Sequence, residues 1–262
     1  MAKTKFKNKK LIVKVALVVS AAILGVLLWN KRAPVMTDKR VAECAELTEG
    51  EKIRCWSELV EETIHKEGMD AAFEAIAKMT DVDPAFASVC HDFVHILGDE
   101  AYKLFTSDTD FEVSDKTSYC AYGFYHGFME NLVAKSGDPK LAQEFCDYVS
   151  GAIKGNPRRA YLACYHGIGH GWTNVHDERL WGDVLGMVDP ALKLCEEISP
   201  GEEELHLCAT GIFDSISIGY YNRAYGLEID ENDPLWICKV QEEKFKKACY
   251  ADMMPAIIWL GD

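Results

Sequence analysis

Residues 120–127 read CAYGFYHG, residues 164–171 read CYHGIGHG and residues 208–215 read CATGIFDS. The pattern Cys-x-x-Gly-x-x-(His/Asp)-(Gly/Ser) thus stands three times, each copy 44 residues after the last. A period in the forties suits a helical hairpin that is too small to bury its apolar face alone and stacks on its neighbours to do so. The ten cysteines carry the pattern outward in five neighbouring couples: Cys44 with Cys55, Cys90 with Cys120, Cys146 with Cys164, Cys195 with Cys208 and Cys238 with Cys249. After Cys55 and Cys249 the Gly/His signature is lost, as in terminal capping repeats. The expected fold is all-α, an α-solenoid-like stack of about five disulfide-stapled helical hairpins filling residues 41–262.

The local sequence agrees with helices. RCWSELVEETIHKE (54–67), MDAAFEAIAKM (69–79), DPKLAQEFCDYVSGAI (138–153) and EEKFKKACYADMM (242–254) place apolar residues three and four apart among good helix formers. Asp-Pro pairs at 83–84, 138–139, 189–190 and 233–234 predict helix starts, because proline fits the first turn. Each cysteine couple is expected to form one disulfide that clips the end of a hairpin's first helix to the start of its second.

Glycine inside a helix costs about 1 kcal/mol relative to alanine. Yet the repeat sets Gly123 and Gly127, Gly167 and Gly171, and Gly211 and Ser215 four residues apart. Such a stripe lets another helix or a ligand approach the backbone closely. Just before the second small residue stand His126, His170 and Asp214, and Phe93-Val94-His95 matches Phe124-Tyr125-His126, which adds His95. Stacked hairpins would converge these four side chains on one interior site, within about 10 Å of each other.

Three histidines and an aspartate suit zinc, iron, manganese or copper as a transition-metal cofactor. Asp99, Glu130, His166 and Asn174 each lie one helical turn from one of these histidines, and His91 lies one turn before His95. Such residues can orient a metal-bound ring or add a ligand, and Glu130 and Asp99 are candidates for proton transfer. His65, His176 and His206 fall outside the repeat position and are expected at the surface or in structural roles. The same cluster is also explained by a buried hydrogen-bond network without metal, or by a pocket for an organic ligand or haem.

His91-Asp92, with His126, His170 and Asp214 downstream, resembles the HD-type phosphohydrolases, helical metalloenzymes that act on phosphate esters; the resemblance implies a metal-dependent phosphohydrolase. A third function class is an interaction scaffold, in which the concave face of the solenoid takes a peptide or protein partner on Tyr122, Phe124, Tyr125, Phe128, Trp172, Tyr220 and Tyr221. There is no Gly-x-Ser-x-Gly, Walker loop, dinucleotide fingerprint or HExxH, which disfavours a serine nucleophile and nucleotide cofactors.

The N-terminus differs from the rest. Residues 1–10 carry five lysines, and LIVKVALVVSAAILGVLLW (11–29) is interrupted only by Lys14, long enough to span a bilayer. The expected organisation is a basic cytoplasmic tail (1–10), an uncleaved transmembrane anchor (11–29), a linker (30–40) and an extracytoplasmic domain (41–262), oriented by the lysine excess ahead of the span. All ten cysteines follow the span, which suits an oxidising compartment. Residues 1–40 hold ten of the 28 Lys and Arg but one of the 42 Asp and Glu, which leaves residues 41–262 with 18 against 41 and a net charge of −23. Nucleic acid is not an expected partner of so acidic a surface.

Overall fold

Asp138 accepts the backbone N–H groups of Lys140 and Leu141 while Pro139 fills the first turn, so a helix starts where the Asp-Pro pair predicts it. The same signal works at Asp83-Pro84, where Asp83 accepts from Ala85 N and opens a short 3-10 turn. It fails at the other two pairs. Asp183 caps its helix by accepting from Gly186 N, so Pro190 falls inside the helix Val184–Ile198. Pro234 precedes a helix that begins only at Trp236.

A computed structural model describes residues 38–107, 111–173, 175 and 177–260. Its helices are α1 (Asp38–Ala45), α2 (Glu49–Glu67), α3 (Met69–Val82), α4 (Cys90–Phe93), α5 (His95–Thr106), α6 (Phe124–Ser136), α7 (Pro139–Ala152), α8 (Pro157–Trp172), α9 (Val184–Ile198), α10 (Glu202–Tyr221), α11 (Trp236–Lys239) and α12 (Glu243–Leu260). Among the described residues there is no β-strand. Helices α5, α6, α8, α10 and α12 pack in series, each against the next. α2 and α3 lie against α5, α7 against α6 and α8, and α9 against α8 and α10.

Disulfides join all five neighbouring couples: Cys44–Cys55, Cys90–Cys120, Cys146–Cys164, Cys195–Cys208 and Cys238–Cys249. Four of them link consecutive helices: α1 to α2, α7 to α8, α9 to α10 and α11 to α12. The Cys90–Cys120 bridge departs from that scheme, because it spans 30 residues and carries α5 between its ends. Loops of this size make each bridge worth about 3 kcal/mol in the chain-entropy account.

The attachment points also differ from the expected end-to-start clip. Cys164 stands well inside α8, about two turns after its first residue Pro157, and its partner Cys146 lies in the body of α7 rather than at its end. Cys55, Cys208 and Cys249 likewise fall inside α2, α10 and α12, past the first turn. The reason is geometric: a disulfide needs Cα atoms about 5.5–6 Å apart, a separation that two helices reach only at their closest approach. Cys146 and Cys164 meet that condition at 5.6 Å, with both side chains fully buried, so the bridge marks where α7 and α8 pack and not where the chain turns.

The glycines mark where the serial helices touch backbone to backbone. A Cβ built on Gly127 of α6 would lie 2.2 Å from His95 O on α5, and one on Gly123 2.4 Å from His91 O. On α8, Gly167 faces Tyr125 O and Gly171 faces Met129 O of α6, at 2.6 and 2.8 Å. On α10, Gly211 faces His166 O at 1.9 Å, and Ser215 Oγ donates to His170 O. Two further glycines complete the seams from the opposite side: Gly98 of α5 against Phe128 N and Phe124 O, and Gly169 of α8 against Cys208 O and Ile212 N. The chain therefore gives up helix propensity at these positions to bring histidine-bearing helices closer than side chains allow.

Phe124, Tyr125 and Phe128 are fully buried, and Tyr220 nearly so. Phe128 stacks on Phe145 with ring centres 4.2 Å apart, and the Tyr125 hydroxyl pairs with Thr117 Oγ1 at 2.8 Å. These four aromatics are core, which removes most of the partner-binding face expected of them; Tyr221 is exposed and Tyr122 and Trp172 are half-buried. The anchor expected at 11–29 lies outside the described residues. Among the described residues no helix is long and apolar enough to cross a membrane.

Candidate metal centre

The close helix seams place five imidazoles together. His126 of α6 is central: its ring centre lies 4.7 Å from that of His91, 5.0 Å from His95, 4.6 Å from His166 and 4.7 Å from His170. Two sets of donor atoms fall within 4.8 Å of one another, His91/His95/His126 and His126/His166/Asp214. His170 adjoins the second set, since its Nε2 stands 3.4 Å from Asp214 Oδ2, and His166 Nε2 is 3.6 Å from the same oxygen. His91 and His166, expected as supporting residues, thus stand among the donor atoms themselves. His95 groups with His91 and His126 rather than with Asp214.

Three rings are fixed from behind. His91 Nδ1 lies 3.0 Å from Cys120 O, and a carbonyl can only accept, so Nδ1 carries the proton. Thr210 Oγ1 donates to Leu207 O and therefore accepts from His166 Nδ1 at 2.8 Å. His170 Nδ1 lies 2.7 Å from Glu130 Oε1. In each case Nδ1 is held and Nε2 faces the cluster, the arrangement by which proteins orient metal-bound imidazoles. The separation of His91 Nε2 and His126 Nδ1, 3.4 Å, is that of two nitrogens at about 2.0–2.1 Å from one tetrahedral ion. His95 Nε2 is buried with no hydrogen-bond partner, and His170 Nε2 has the Asp214 carboxylate 3.4 Å away.

Two sequence assignments change. Glu130, placed by spacing beside His126 on its own helix, reaches across to His170 on α8. Asp99 accepts from Asn131 Nδ2 at 2.6 Å rather than serving His95. Asp92 is exposed and belongs to neither donor set, so the His91-Asp92 pair does not supply adjacent ligands as the phosphohydrolase resemblance implies. Asn174 and His176 lie outside the described residues. His65 is largely exposed and pairs with Glu100 across 3.0 Å.

The electrostatics sort the rings. Burial, reinforced by four neighbouring imidazoles, holds His126 well below the ordinary imidazole value, and burial brings His95 down to about 4. Burial also lowers His170, but the hydrogen bonds and charges of Asp214 and Glu130 outweigh it and raise His170 to about 9. Burial pushes the Asp214 carboxyl up, but its two histidine partners hold it well below the carboxylate range. In chelator-treated protein, NMR titration should find His170 protonated through neutral pH and His95 neutral. The His170 contribution to stability is complete below about pH 6.5 and lost as pH rises through about 9. That of His95 is complete above about pH 6.5 and lost as pH falls through about 4. A His170 midpoint at 6.5 would contradict the pairing with Asp214 and Glu130.

A cleft of about 450 Å³ reaches the cluster, lined by His91, His126, His166, Asp214 and Asp252, with Tyr122 and Arg159 among its outer residues. A larger cavity, about 590 Å³, is lined by residues of α9, of α12 and of the connection between α11 and α12, such as Asp189, Glu196, Gln241 and Phe245, and includes no histidine. The cleft wall is strained: Cys120, Ala121 and Tyr122 have φ of 52°, 54° and 68°, a left-handed run without glycine. Such backbone costs on the order of 1 kcal/mol or more per residue and persists where surrounding contacts fix it. Here the Cys90–Cys120 disulfide and the His91 hydrogen bond do so.

Sequence reasoning missed Asp252 and Thr210. Asp252 Oδ2 is buried without a hydrogen-bond partner, and burial together with the charge of Asp214 raises its carboxyl to about 7. An acid inside the apolar run ACYADMMPAII (248–258) was the available signal. For Thr210 the signal was its repeat position, two residues after the cysteine, which it shares with Tyr122 and His166. Comparison with family models, with curated proteins and with solved structures gives no match, so the chemistry of the site is read from its own residues.

Proposed function

We propose that this helical protein holds a transition-metal ion in its His/Asp cluster and works as a metal-dependent enzyme on a small molecule admitted by the cleft. The observation that carries the reading is the set of three imidazoles whose Nδ1 atoms are held by Cys120 O, Thr210 Oγ1 and Glu130 while Nε2 faces inward. A network kept only for structure has no need to leave His95 Nε2 unsatisfied, because burying an unpaired polar atom costs about 1–3 kcal/mol. The favoured ligands are His126, His166, His170 and Asp214. His126, His166 and Asp214 also line the cleft, so an ion held there would meet a substrate. An ion so placed acts as a Lewis acid or activates water.

The same proposal includes the setting. Residues 11–29 would anchor the chain, with residues 1–10 in the cytoplasm and residues 41–262 outside, where five disulfides are stable. The domain would be a stack of helical-hairpin repeats, for which the 44-residue period and the matching glycine contacts of α6, α8 and α10 are the support.

The test is elemental analysis of the full chain purified in detergent without chelator, followed by titration of the stripped protein with zinc, cobalt, iron(II), manganese and copper. At least one equivalent of ion per chain is expected. Protein that carries none and takes up none would leave the cluster a structural hydrogen-bond network.

A further inference from the structure

We propose that the cleft binds a small organic molecule ending in an oxyanion, a carboxylate or phosphate, with Arg159 holding that end and the rest of the molecule facing His126, His166 and Asp214. The inference rests on the metal-centre reading for what happens at the inner end; Arg159 itself does not depend on it. Arg159, Leu162, Ala163 and His166 all line the cleft and fall at i, i+3, i+4 and i+7 of α8, a single stripe. Seven residues of helix rise about 10 Å, and an arginine side chain reaches across much of that. A molecule touching both the guanidinium and the cluster therefore needs only a few carbons between its ends, and the cleft, about 450 Å³, has room for it.

The guanidinium is also presented in an unusual way for this domain. Its neighbour Arg158 is tied to Glu203 and Glu204. Among the described residues no carboxylate pairs with Arg159, although acidic groups outnumber basic ones more than two to one in residues 41–262. It lies instead over the Tyr122 ring, 5.4 Å from the centroid. Stacking on an aromatic face fixes the plane of the guanidinium and leaves its N–H groups for a planar or tetrahedral anion. Tyr122 belongs to the left-handed run at Cys120–Tyr122, so strained backbone builds the platform beneath the arginine. A solvated surface arginine needs no such platform. Farther in, the buried Oδ2 of Asp252 is left for a hydroxyl or amine of the same molecule.

Calorimetric titration of the full chain in detergent, loaded with cobalt(II), tests this with three probes: inorganic phosphate, succinate and the neutral analogue succinamide. One of the two anions should bind and succinamide should not; which anion binds identifies the end group. Arg159→Gln should weaken the anion about tenfold or more while cobalt stoichiometry and the visible cobalt spectrum stay as in the wild type. Arg159→Lys should recover only part of the loss, since lysine keeps the charge but not the stacked fork. Binding of neither anion, or equal binding by Arg159→Gln, would overturn the proposal. If the chain takes up none of the five ions titrated above, the metal reading fails by itself, and the same titrations on ion-free protein judge Arg159 by the same comparison.

Discussion

Gly211→Ala should destabilise the domain by about 3 kcal/mol or more, against a gain in helix propensity of about 1 kcal/mol that would otherwise favour alanine. The new Cβ would stand 1.9 Å from His166 O and 2.9 Å from His170 N, both backbone atoms of α8 that no rotamer change can move. α10 has to back away from α8, and Asp214 then leaves His166 and His170. The melting temperature should fall by roughly 6–12 °C for a domain of this size, with metal uptake reduced in parallel. Gly151→Ala is the contrast, since a Cβ there meets nothing within 4 Å; it should leave the melt unchanged or raise it slightly. Equal melts for the two variants would mean that the α8–α10 seam does not set the spacing of the site.

What the sequence disclosed and what it hid follow from whether a feature repeats. Cys120, Cys164 and Cys208 and the positions of His126, His170 and Asp214 recur at 44-residue intervals, so register alone aligned them. Register did not say how deep in a helix each cysteine sits: Cys164 lies in the body of α8 because the chain enters that helix early, at the Asn156 cap and Pro157. Gly169 has no equivalent, because the matching positions hold Tyr125 and Phe213, and yet it faces α10 across the tightest seam of the fold. It is needed because α8 is pressed from both sides, by α6 at Gly167 and Gly171 and by α10 at Gly169. A pattern read along one helix does not show that.

Glu130 illustrates the same limit. Spacing of four residues places it on the face of His126, but across the closely packed helices its Oε1 lies 2.7 Å from His170 Nδ1. Asp252 stands where the other copies have Gly123, Gly167 and Gly211, in a copy that has lost the Gly/His signature, and only the three-dimensional cleft shows its carboxyl. Pro190 was hidden for a local reason. The capping aspartate is Asp183, and a helix already begun there tolerates the proline seven residues on.

The ligands and the groups behind them should separate by the size of their effects. His126→Ala removes the residue common to both donor sets, so the affinity for the ion should fall by more than about 100-fold, beyond the range of about 10–100-fold that partners behind a ligand command. Loss of a buried ring also opens a cavity, and His126→Phe, which refills most of the volume without a donor atom, distinguishes lost ligation from lost packing: it should melt closer to the wild type and bind metal no better than His126→Ala. Thr210→Val keeps the shape of the side chain but removes the acceptor that holds His166 Nδ1, and should fall within the 10–100-fold range. Glu130→Gln leaves an oxygen near His170 Nδ1 while removing the charge, and should cost less than His126→Ala. These four variants, titrated with one ion in parallel, form a ranking that a purely structural histidine network would not produce, because such a network orders the variants by lost packing alone. In that case His126→Phe would rank with the wild type in every measurement.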